Sequence, residues 1–202
     1  PLRAAPAARQ VAQKELCPDC PYRQVFAALL SEMAAQGGRQ RYITVGETGC
    51  MVRAAAEPFE LFDVKLALGS SVGLGLGLAS SRSGQRVVAL VGDSCFFHSD
   101  WNALPQAVAT DANLFLVVLE NLVAAQTGGQ PHPGSPRDVA GRPNPRPTSI
   151  AQVMAATGIK PTEVNAHDGE QLRLAIGSGL RAPGLAAAIV AAPCPRYSQE
   201  DG

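Results

Sequence analysis

Residues 87–134, VVALVGDSCFFHSDWNALPQAVATDANLFLVVLENLVAAQTGGQPHPG, decide how this chain folds. The stretch opens with the apolar run Val87 to Val91, too short for a helix and rich in β-branched residues, the pattern of a strand buried on both faces of a parallel sheet. It stops at Gly92-Asp93. A second run, Leu114 to Leu119, follows after enough chain for a crossover helix and stops at Glu120-Asn121. A right-handed βαβ unit sets the carboxyl ends of neighbouring strands side by side, so the oxygens of Asp93 and Asn121 can converge on one point. A hard divalent cation suits such a point. Magnesium takes oxygen ligands in octahedral geometry, needs few of them from protein and commonly sits under a diphosphate. The loop Thr127-Gly128-Gly129-Gln130 has the small residues that let backbone groups approach a phosphate.

Outward from this unit, helical and extended patterns alternate. Residues 1–15 carry no period and read as an arm or linker. Leu16 to Pro21, LCPDCP, is a tight loop. Val25, Phe26, Leu29, Leu30 and Met33 then form one helical stripe that ends at Gly37-Gly38. Tyr42 to Val45 is a short strand running into Gly46-Glu47-Thr48-Gly49-Cys50, the kind of turn where α/β folds place ligand-binding loops. Residues 54–64 read as irregular cover over a bound ligand. Leu68-Gly69-Ser70-Ser71 leads into a helix over Val72 to Ala79, with Ser70 and Ser71 placed to cap it or to face a phosphate. Gly73, Gly75 and Gly77 follow no clear strand and lack GxGxxG spacing, so close helix packing is their expected role.

Pro131 to Pro147 reads as a long loop of the kind that covers an active site or meets a partner. Ile150 to Ala156 is a helix, Glu163 to Ala166 a strand, Gly169 to Ile176 a helix and Leu185 to Ala191 a last strand, ending at Pro193-Cys194-Pro195. The expected fold class is α/β: a doubly wound, mainly parallel sheet of five strands with helices on both faces, forming one domain over residues 16–195 with a tail over 196–202.

Composition narrows the function. With 202 residues the chain has material for one such domain, and its formal net charge of zero with scattered charges gives no nucleic-acid surface and no polybasic membrane anchor. No apolar stretch approaches the roughly 20 residues of a membrane span, and residues 1–10 lack a signal-peptide core. A cytoplasmic protein is the expectation. The start at Pro1 suggests a processed product or an excised piece of a longer chain.

Five cysteines in such a composition point to metal or redox roles rather than disulfides. Cys17 and Cys20 are separated by two residues, Cys50 closes the turn after the first strand, and Cys194 follows the last. In a parallel sheet Cys50 and Cys194 stand at the carboxyl edge that also holds Asp93 and Asn121, so four thiolates can meet beside the metal point. Four thiolates hold zinc or an iron-sulfur cluster, and spacing does not choose between them.

GDSCFFHS, the Asn closing the next strand, and TGGQPHPG together resemble the thiamine diphosphate motif of the 2-oxoacid:ferredoxin oxidoreductases, closest to their indolepyruvate branch. The resemblance spans roughly Leu16 to Pro195. It implies the thiamine diphosphate-binding fold, with Mg²⁺ ligated by the side chains of Asp93 and Asn121 and the carbonyl of Val123. It implies a close turn at Gly92 and cofactor contacts at Gly49, Cys50, Gly69, Ser70, Ser94, Thr127 and Gln130, the last binding the diphosphate or tying down its loop. Cys17, Cys20, Cys50 and Cys194 match the family's ligands to a [4Fe-4S] cluster. LCPDCPYR is similar to the branch's CPGCPHR, from which Asp19 and Tyr22 depart at the Gly and the His. Cys95 stands where the family commonly has Thr and reads as an extra small residue.

His98 and His132 lie in family-like strings and are candidates to orient a carboxylate or relay a proton, the alternative being a bond within each one's own loop. Gln126 matches a polar family position, and Glu47 reads as fixing its loop. The implied activity is oxidative decarboxylation of a 2-oxoacid, an aryl pyruvate such as indolepyruvate, to an acyl-CoA. Electrons would pass singly to the cluster and on to ferredoxin or a ferredoxin-like domain, with coenzyme A capturing the acyl group. The carboxylate that activates thiamine comes, in such enzymes, from a second, pyrimidine-binding domain, which a partner chain or a further part of this one must supply. Two other readings share the metal motif: a subunit of a non-redox decarboxylase split over two chains, which needs no cysteine quartet, and a non-catalytic thiamine diphosphate-binding module.

Overall fold

The computed structural model describes residues 15–81 and 84–197. The expected arm over residues 1–15 and tail over 196–202 fall outside this range except for Glu15, Arg196 and Tyr197. Six strands form one sheet: β1 Tyr42–Gly46, β2 Val64–Lys65, β3 Arg86–Gly92, β4 Leu114–Glu120, β5 Thr162–Asn165 and β6 Ala186–Ala191, in the order β2-β1-β3-β4-β6-β5. Every neighbouring pair is parallel. Two central strands set this geometry, because β3 and β4 are buried along nearly their whole length and leave no polar face for water.

Alternation then sorts the core into two layers. Val88 and Leu90 of β3, with Phe115 and Val117 of β4, pack under α1 (Tyr22–Ala35) and α6 (Gly169–Arg181). Val87, Ala89, Val91, Leu114, Leu116 and Val118 face the other way, under α2 (Ser71–Ser80), α3 (Asp93–His98), α4 (Leu104–Ala109) and α5 (Ile150–Ala156). The doubly wound expectation holds, with a sixth strand added. That strand, β2, is two residues long, paired Val45 to Val64, and too short to carry a sequence period.

Three local expectations change. Residues 54–64 pack inward: Ala54 and Leu61 are fully buried in the α1 layer of the core, and the segment does not line the carboxyl-edge cleft described below. Of the α2 glycines, only Gly75 packs closely, a Cβ there lying 3.1 Å from Leu114, whereas Gly73 and Gly77 face open space. Helix α6 continues beyond Ile176 to Arg181 because Gly177 and Gly179 are its contact points with α1 and the sheet; a Cβ at Gly179 would stand 2.2 Å from the Phe115 ring.

Candidate cofactor site at the carboxyl edge

The loops that leave β1, β3 and β4 enclose a cleft of about 280 Å³. Asp93, 2% exposed at the start of α3, stands at its centre. Its Oδ1 accepts from the Ser94 amide at 2.7 Å, and its Oδ2 accepts from the amides of Asn121 at 2.8 Å and Leu122 at 2.6 Å. One donor from the start of α3 and two from the loop after β4 thus fix the orientation of this buried carboxyl. The same bonds tie the end of β3 to the loop after β4 and bring the Asp93 carboxyl against the backbone of Asn121. Asn121 Oδ1 accepts from the Val123 amide at 3.1 Å, and Leu122 between them is held at φ 66°, a left-handed conformation unfavourable to leucine.

Asp93, Asn121 and Val123 all line the cleft. One carboxylate, one amide oxygen and one carbonyl are the hard donors that magnesium accepts, so the donor set fits that ion. Gly92 behaves differently from expectation. Its φ of −78° is open to any residue, and what glycine leaves is room: a Cβ would meet Cys95 Sγ at 3.6 Å and Met51 at 3.8 Å.

Gly49, Cys50, Ser94, His98, Gln126 and Thr127 line the cleft as well. Gly49 is a glycine by necessity, with φ 101° and nothing within 4 Å of where a Cβ would project. Gly69 and Ser70 are turned elsewhere. Their amides donate to Glu47 Oε2 at 2.7 and 3.2 Å, and the Ser70 hydroxyl donates to the Ala67 carbonyl at 2.7 Å instead of capping α2. The Glu47 carboxyl oxygen thus takes the amides that a phosphate would otherwise meet. Gln130 ties down its own loop: its Nε2 donates to the Thr127 carbonyl at 2.9 Å and its Oε1 accepts from the Thr127 hydroxyl at 2.7 Å.

His132 stands behind the metal point rather than on the cleft wall. Its ring stacks on Phe97 with centroids 5.4 Å apart, and its Nδ1 accepts from the Gly134 amide at 3.2 Å. Its Nε2 lies 3.1 Å from Asp93 Oδ2 but without an aligned hydrogen bond. Buried Ser135 completes this backing, accepting from the His132 amide at 2.9 Å and donating to the Leu122 carbonyl. The loop after Pro131 thus buttresses the turn at Asn121. His98, by contrast, is exposed on the cleft, its Nδ1 3.0 Å from the Ser99 hydroxyl.

Glu47 fixes its loop, and does so with an unanticipated partner. It is fully buried, as is Asp100, whose Oδ1 accepts from the Val72 amide at 2.9 Å. Burial, and then the neighbouring Asp100 carboxyl, push Glu47 up to about 8, and burial raises Asp100 as well. Glu47 Oε1 and Asp100 Oδ2 each lack a donor, a deficit that one proton held between them removes. Cys95 packs beside Glu47 with its thiol pushed up by burial, apart from the other four cysteines.

Those four, Cys17, Cys20, Cys50 and Cys194, line a single small cavity walled mainly by apolar groups. Arg23 shapes the CxxC loop by donating to the carbonyls of Cys17 at 3.1 Å and Leu16 at 2.7 Å. Among the described residues no three Cys, His, Asp or Glu side chains stand at metal-ligand spacing, so the thiols are gathered without being closed into a ligand set. Burial pushes Cys20 up to about 11 and raises Cys50, as expected of thiols with no cation to favour the thiolate. Four soft donors around one cavity fit a tetrathiolate cluster in kind. Tyr22, Cys50 and Asn121 line both this cavity and the cofactor cleft, so the two share a wall. The Tyr22 hydroxyl in that wall is buried with no partner. Nothing in the string CPYR announces this position; the signal was only its departure from the family's His.

Residues 45–190 match the family described as thiamine pyrophosphate enzyme, C-terminal TPP binding domain. The chain is 34% identical over 183 residues to indolepyruvate oxidoreductase subunit IorA of Methanothermobacter thermautotrophicus, covering 89% of this chain and 29% of that relative. Its fold matches that of 2-oxoglutarate:ferredoxin oxidoreductase from Magnetococcus marinus, with TM-score 0.83 and 19% identity over 95% of this chain and 68% of that one. The thiamine diphosphate-dependent 4-hydroxybenzoylformate decarboxylase of Rhodococcus jostii is more distant, with TM-score 0.62 and 17% identity over 86% of this chain and 32% of that one. At such identities both structures speak to the fold alone.

Proposed function

Because the chain belongs to the thiamine pyrophosphate enzymes, through their C-terminal TPP-binding domain, we propose that it is the diphosphate-binding part of a 2-oxoacid:ferredoxin oxidoreductase. The chain spans 29% of the indolepyruvate oxidoreductase subunit it resembles, so the activity belongs to a larger assembly. The shared wall of Tyr22, Cys50 and Asn121 carries this reading, because single-electron transfer needs the cluster close to the cofactor and a plain decarboxylase has no use for four thiols there.

Thiamine diphosphate supplies the carbanion chemistry that decarboxylates a 2-oxoacid, and a [4Fe-4S] cluster supplies the acceptor for its electrons. The chain's own residues hold and shield. Asp93, Asn121 and Val123 offer Mg²⁺ three oxygens, and three backbone donors hold the Asp93 carboxyl in place. Gly49, Ser94 and Thr127 line the space for the diphosphate. His98 and Gln126, on the cleft wall, orient the substrate carboxylate, while His132 positions Asp93 from behind. Cys17, Cys20, Cys50 and Cys194 hold the cluster, whose iron would favour the thiolate form that burial disfavours at Cys20 and Cys50. The substrate is an aryl pyruvate, following the name of the indolepyruvate relative, with coenzyme A as acyl acceptor and ferredoxin or a ferredoxin-like domain as electron acceptor.

Glu47 is committed to Gly69 and Ser70, so the carboxylate that activates the cofactor comes from a pyrimidine-binding domain. Exposed Leu66, Leu68, Trp101 and Leu122 all follow strand or helix ends at this edge and make an apolar seat for it. Five free cysteines suit a reducing compartment such as the cytoplasm. No helix among the described residues is long and apolar enough to cross a membrane.

Anaerobic purification of the full-length assembly, with iron and acid-labile sulfide analysis, tests the proposal. The expected result is about four of each per site, lost in Cys50→Ser together with ferredoxin reduction. An iron-free protein that decarboxylates without reducing ferredoxin would replace this reading with the non-redox decarboxylase.

A further inference from the structure

At the opposite edge, where the strands begin, Tyr42, Arg86 and Asn113 meet the ends of α1 and α6 around an open cleft of about 550 Å³. Arg86, 7% exposed, is the buried charge of this edge. Its Nε donates to the Gly179 carbonyl at 3.0 Å, and its Nη1 donates to Asn113 Oδ1 at 2.8 Å and the Gly184 carbonyl at 2.9 Å. All three acceptors are neutral. Its Nη2 is buried with no acceptor, and among the described residues no carboxylate pairs with this guanidinium. Burial accordingly pulls its value down to about 10. A guanidinium taken out of water without a counter-ion is among the costliest arrangements a fold can hold.

Two further cations line the same cleft, Arg41 and Arg181, both exposed. Together with Arg86 and the Glu32 carboxyl they surround the Tyr42 hydroxyl, which donates to Gln36 Oε1 at 3.4 Å. Glu32, the acid of the adjoining turn of α1, pairs with Arg173 at 3.1 Å, accepts from the Gln36 amide at 3.3 Å and lies beside Arg181, so a single shared carboxyl faces three guanidinium groups. The result, among the described residues, is a concave site with three guanidinium groups around Tyr42, the most buried of them without a counter-ion, and one carboxyl, Glu32, already shared with Arg173.

We infer that this cleft binds the phosphate group of a small molecule, whose charge balances the buried Arg86 guanidinium while the exposed Arg41 and Arg181 close on its oxygens. Three guanidinium groups suit a dianion better than a single carboxylate, and planar forks match phosphate oxygens in pairs. A bare phosphate would leave much of the cleft empty, so a larger phosphorylated metabolite suits it better. Strand β3 runs from Arg86 to Gly92, which puts about 20 Å between this site and Asp93 at the strand's ordinary rise. A ligand here therefore does not meet the cofactor; it acts as an effector or stabiliser.

The test uses the full-length assembly saturated with thiamine diphosphate and Mg²⁺, so that the cofactor site takes up no added phosphate. Calorimetric titrations use inorganic phosphate, adenosine monophosphate and acetate. One saturable phosphate site is expected, with acetate at least tenfold weaker. The double variant R41Q/R181Q, changed only at exposed positions, should bind phosphate at least tenfold more weakly with an unchanged cofactor affinity, and R86Q should not bind it. Because R86Q removes three internal hydrogen bonds and can fail to fold, the double variant decides. Tighter binding of the monophosphate than of phosphate assigns a larger metabolite, and equal binding assigns free phosphate. No saturable uptake by the wild-type assembly, the result if an acidic segment of the longer protein fills the cleft, overturns the inference, as does an unchanged affinity in R41Q/R181Q. Iron content and ferredoxin reduction are read separately, so failure here leaves the cofactor reading standing.

Discussion

Asp93 at the carboxyl edge and Arg86 at the amino edge are charged side chains buried at opposite ends of β3, and each is surrounded by backbone of the opposite polarity. In a parallel sheet the helices start at the carboxyl edge, so free amides collect there, and they finish at the amino edge, where free carbonyls collect. The edges therefore favour anions and cations respectively before any ligand is considered. They differ in completeness. Of the buried polar atoms without a partner among the described residues, those of Tyr22, Glu47, Ser71, Asp100 and His132 stand at or near the carboxyl edge, and only Arg86 Nη2 stands at the other. Buried polar groups are ordinarily paired, so the concentration of exceptions marks the edge that a cofactor and a second domain complete.

The largest effect that separates the two edges comes from Asp93→Asn. The amide presents an N–H where two backbone N–H groups already point, so donors face donors across the turn at Asn121 and Leu122. Affinity for thiamine diphosphate with Mg²⁺ should fall about 100-fold, by analogy with the upper range for altered metal sites, and stability by about 2 kcal/mol for the unpaired amides. Calorimetric cofactor titration and urea unfolding check these values. R41Q/R181Q is the matched control at the amino edge. If both variants weaken the cofactor equally, the edges are not functionally distinct.

A smaller effect lies in the pH dependence of stability, and it isolates the carboxyl edge. Glu47 is raised from 4.5 to about 8 by burial and by Asp100, so the native chain keeps a proton that the unfolded chain gives up. Its contribution is fully present below pH 4.5 and is lost as pH rises through about 8. Asp100 and Glu120, also raised by burial, act with the same sign. Arg86, lowered to about 10, adds no slope in that window. Glu47→Gln keeps an oxygen for the Gly69 and Ser70 amides and offers Asp100 a permanent donor. It should remove slope between those limits, at most about 1.4 kcal/mol per pH unit for one proton, and raise stability at pH 8. Urea midpoints measured across the range would refute a shared proton if wild type and variant ran parallel.

How far the two edges were legible in sequence follows from the range of the interactions that build them. The runs at residues 87–91 and 114–119 could be read as buried strands because no polar side chain interrupts them. Once those strands are parallel, Asp93 and Asn121 must come together, and Cys50 and Cys194 must share their edge. Strand β2 could not be read, since two residues carry no period. Neither could Glu47 with Asp100, or Arg86 with Gly179 and Gly184, because a side chain bonding distant backbone leaves no local pattern. Gly69 and Ser70 misled for a related reason. A Gly-Ser helix start resembles a phosphate cradle until a remote carboxylate is seen to occupy it.

The finest distinction between the edges is backbone strain. Leu122 at the carboxyl edge has φ 66° and Asp111 at the amino edge has φ 41°, both in the region that favours glycine. Asp111 uses its conformation: Oδ1 accepts from the Leu185 amide at 3.1 Å, and aspartate tolerates left-handed backbone. Leu122 has no such bond from its side chain, which is 43% exposed, and its amide is instead drawn to Asp93. Leu122→Gly therefore relieves about 1–2 kcal/mol of strain and gives back about 0.4–1 kcal/mol through the freer unfolded chain, a net gain near ~0.5 kcal/mol in urea unfolding. Asp111→Gly loses its hydrogen bond and should be destabilising by about 0.5–1 kcal/mol. The gain at position 122 should come with weaker cofactor binding, because a relaxed turn no longer holds Asn121 and Val123 against Asp93. A Leu122→Gly protein that gained stability and kept full cofactor affinity would mean that the strained turn is incidental to the metal point, and that only the hydrogen bonds of Asp93 set its geometry.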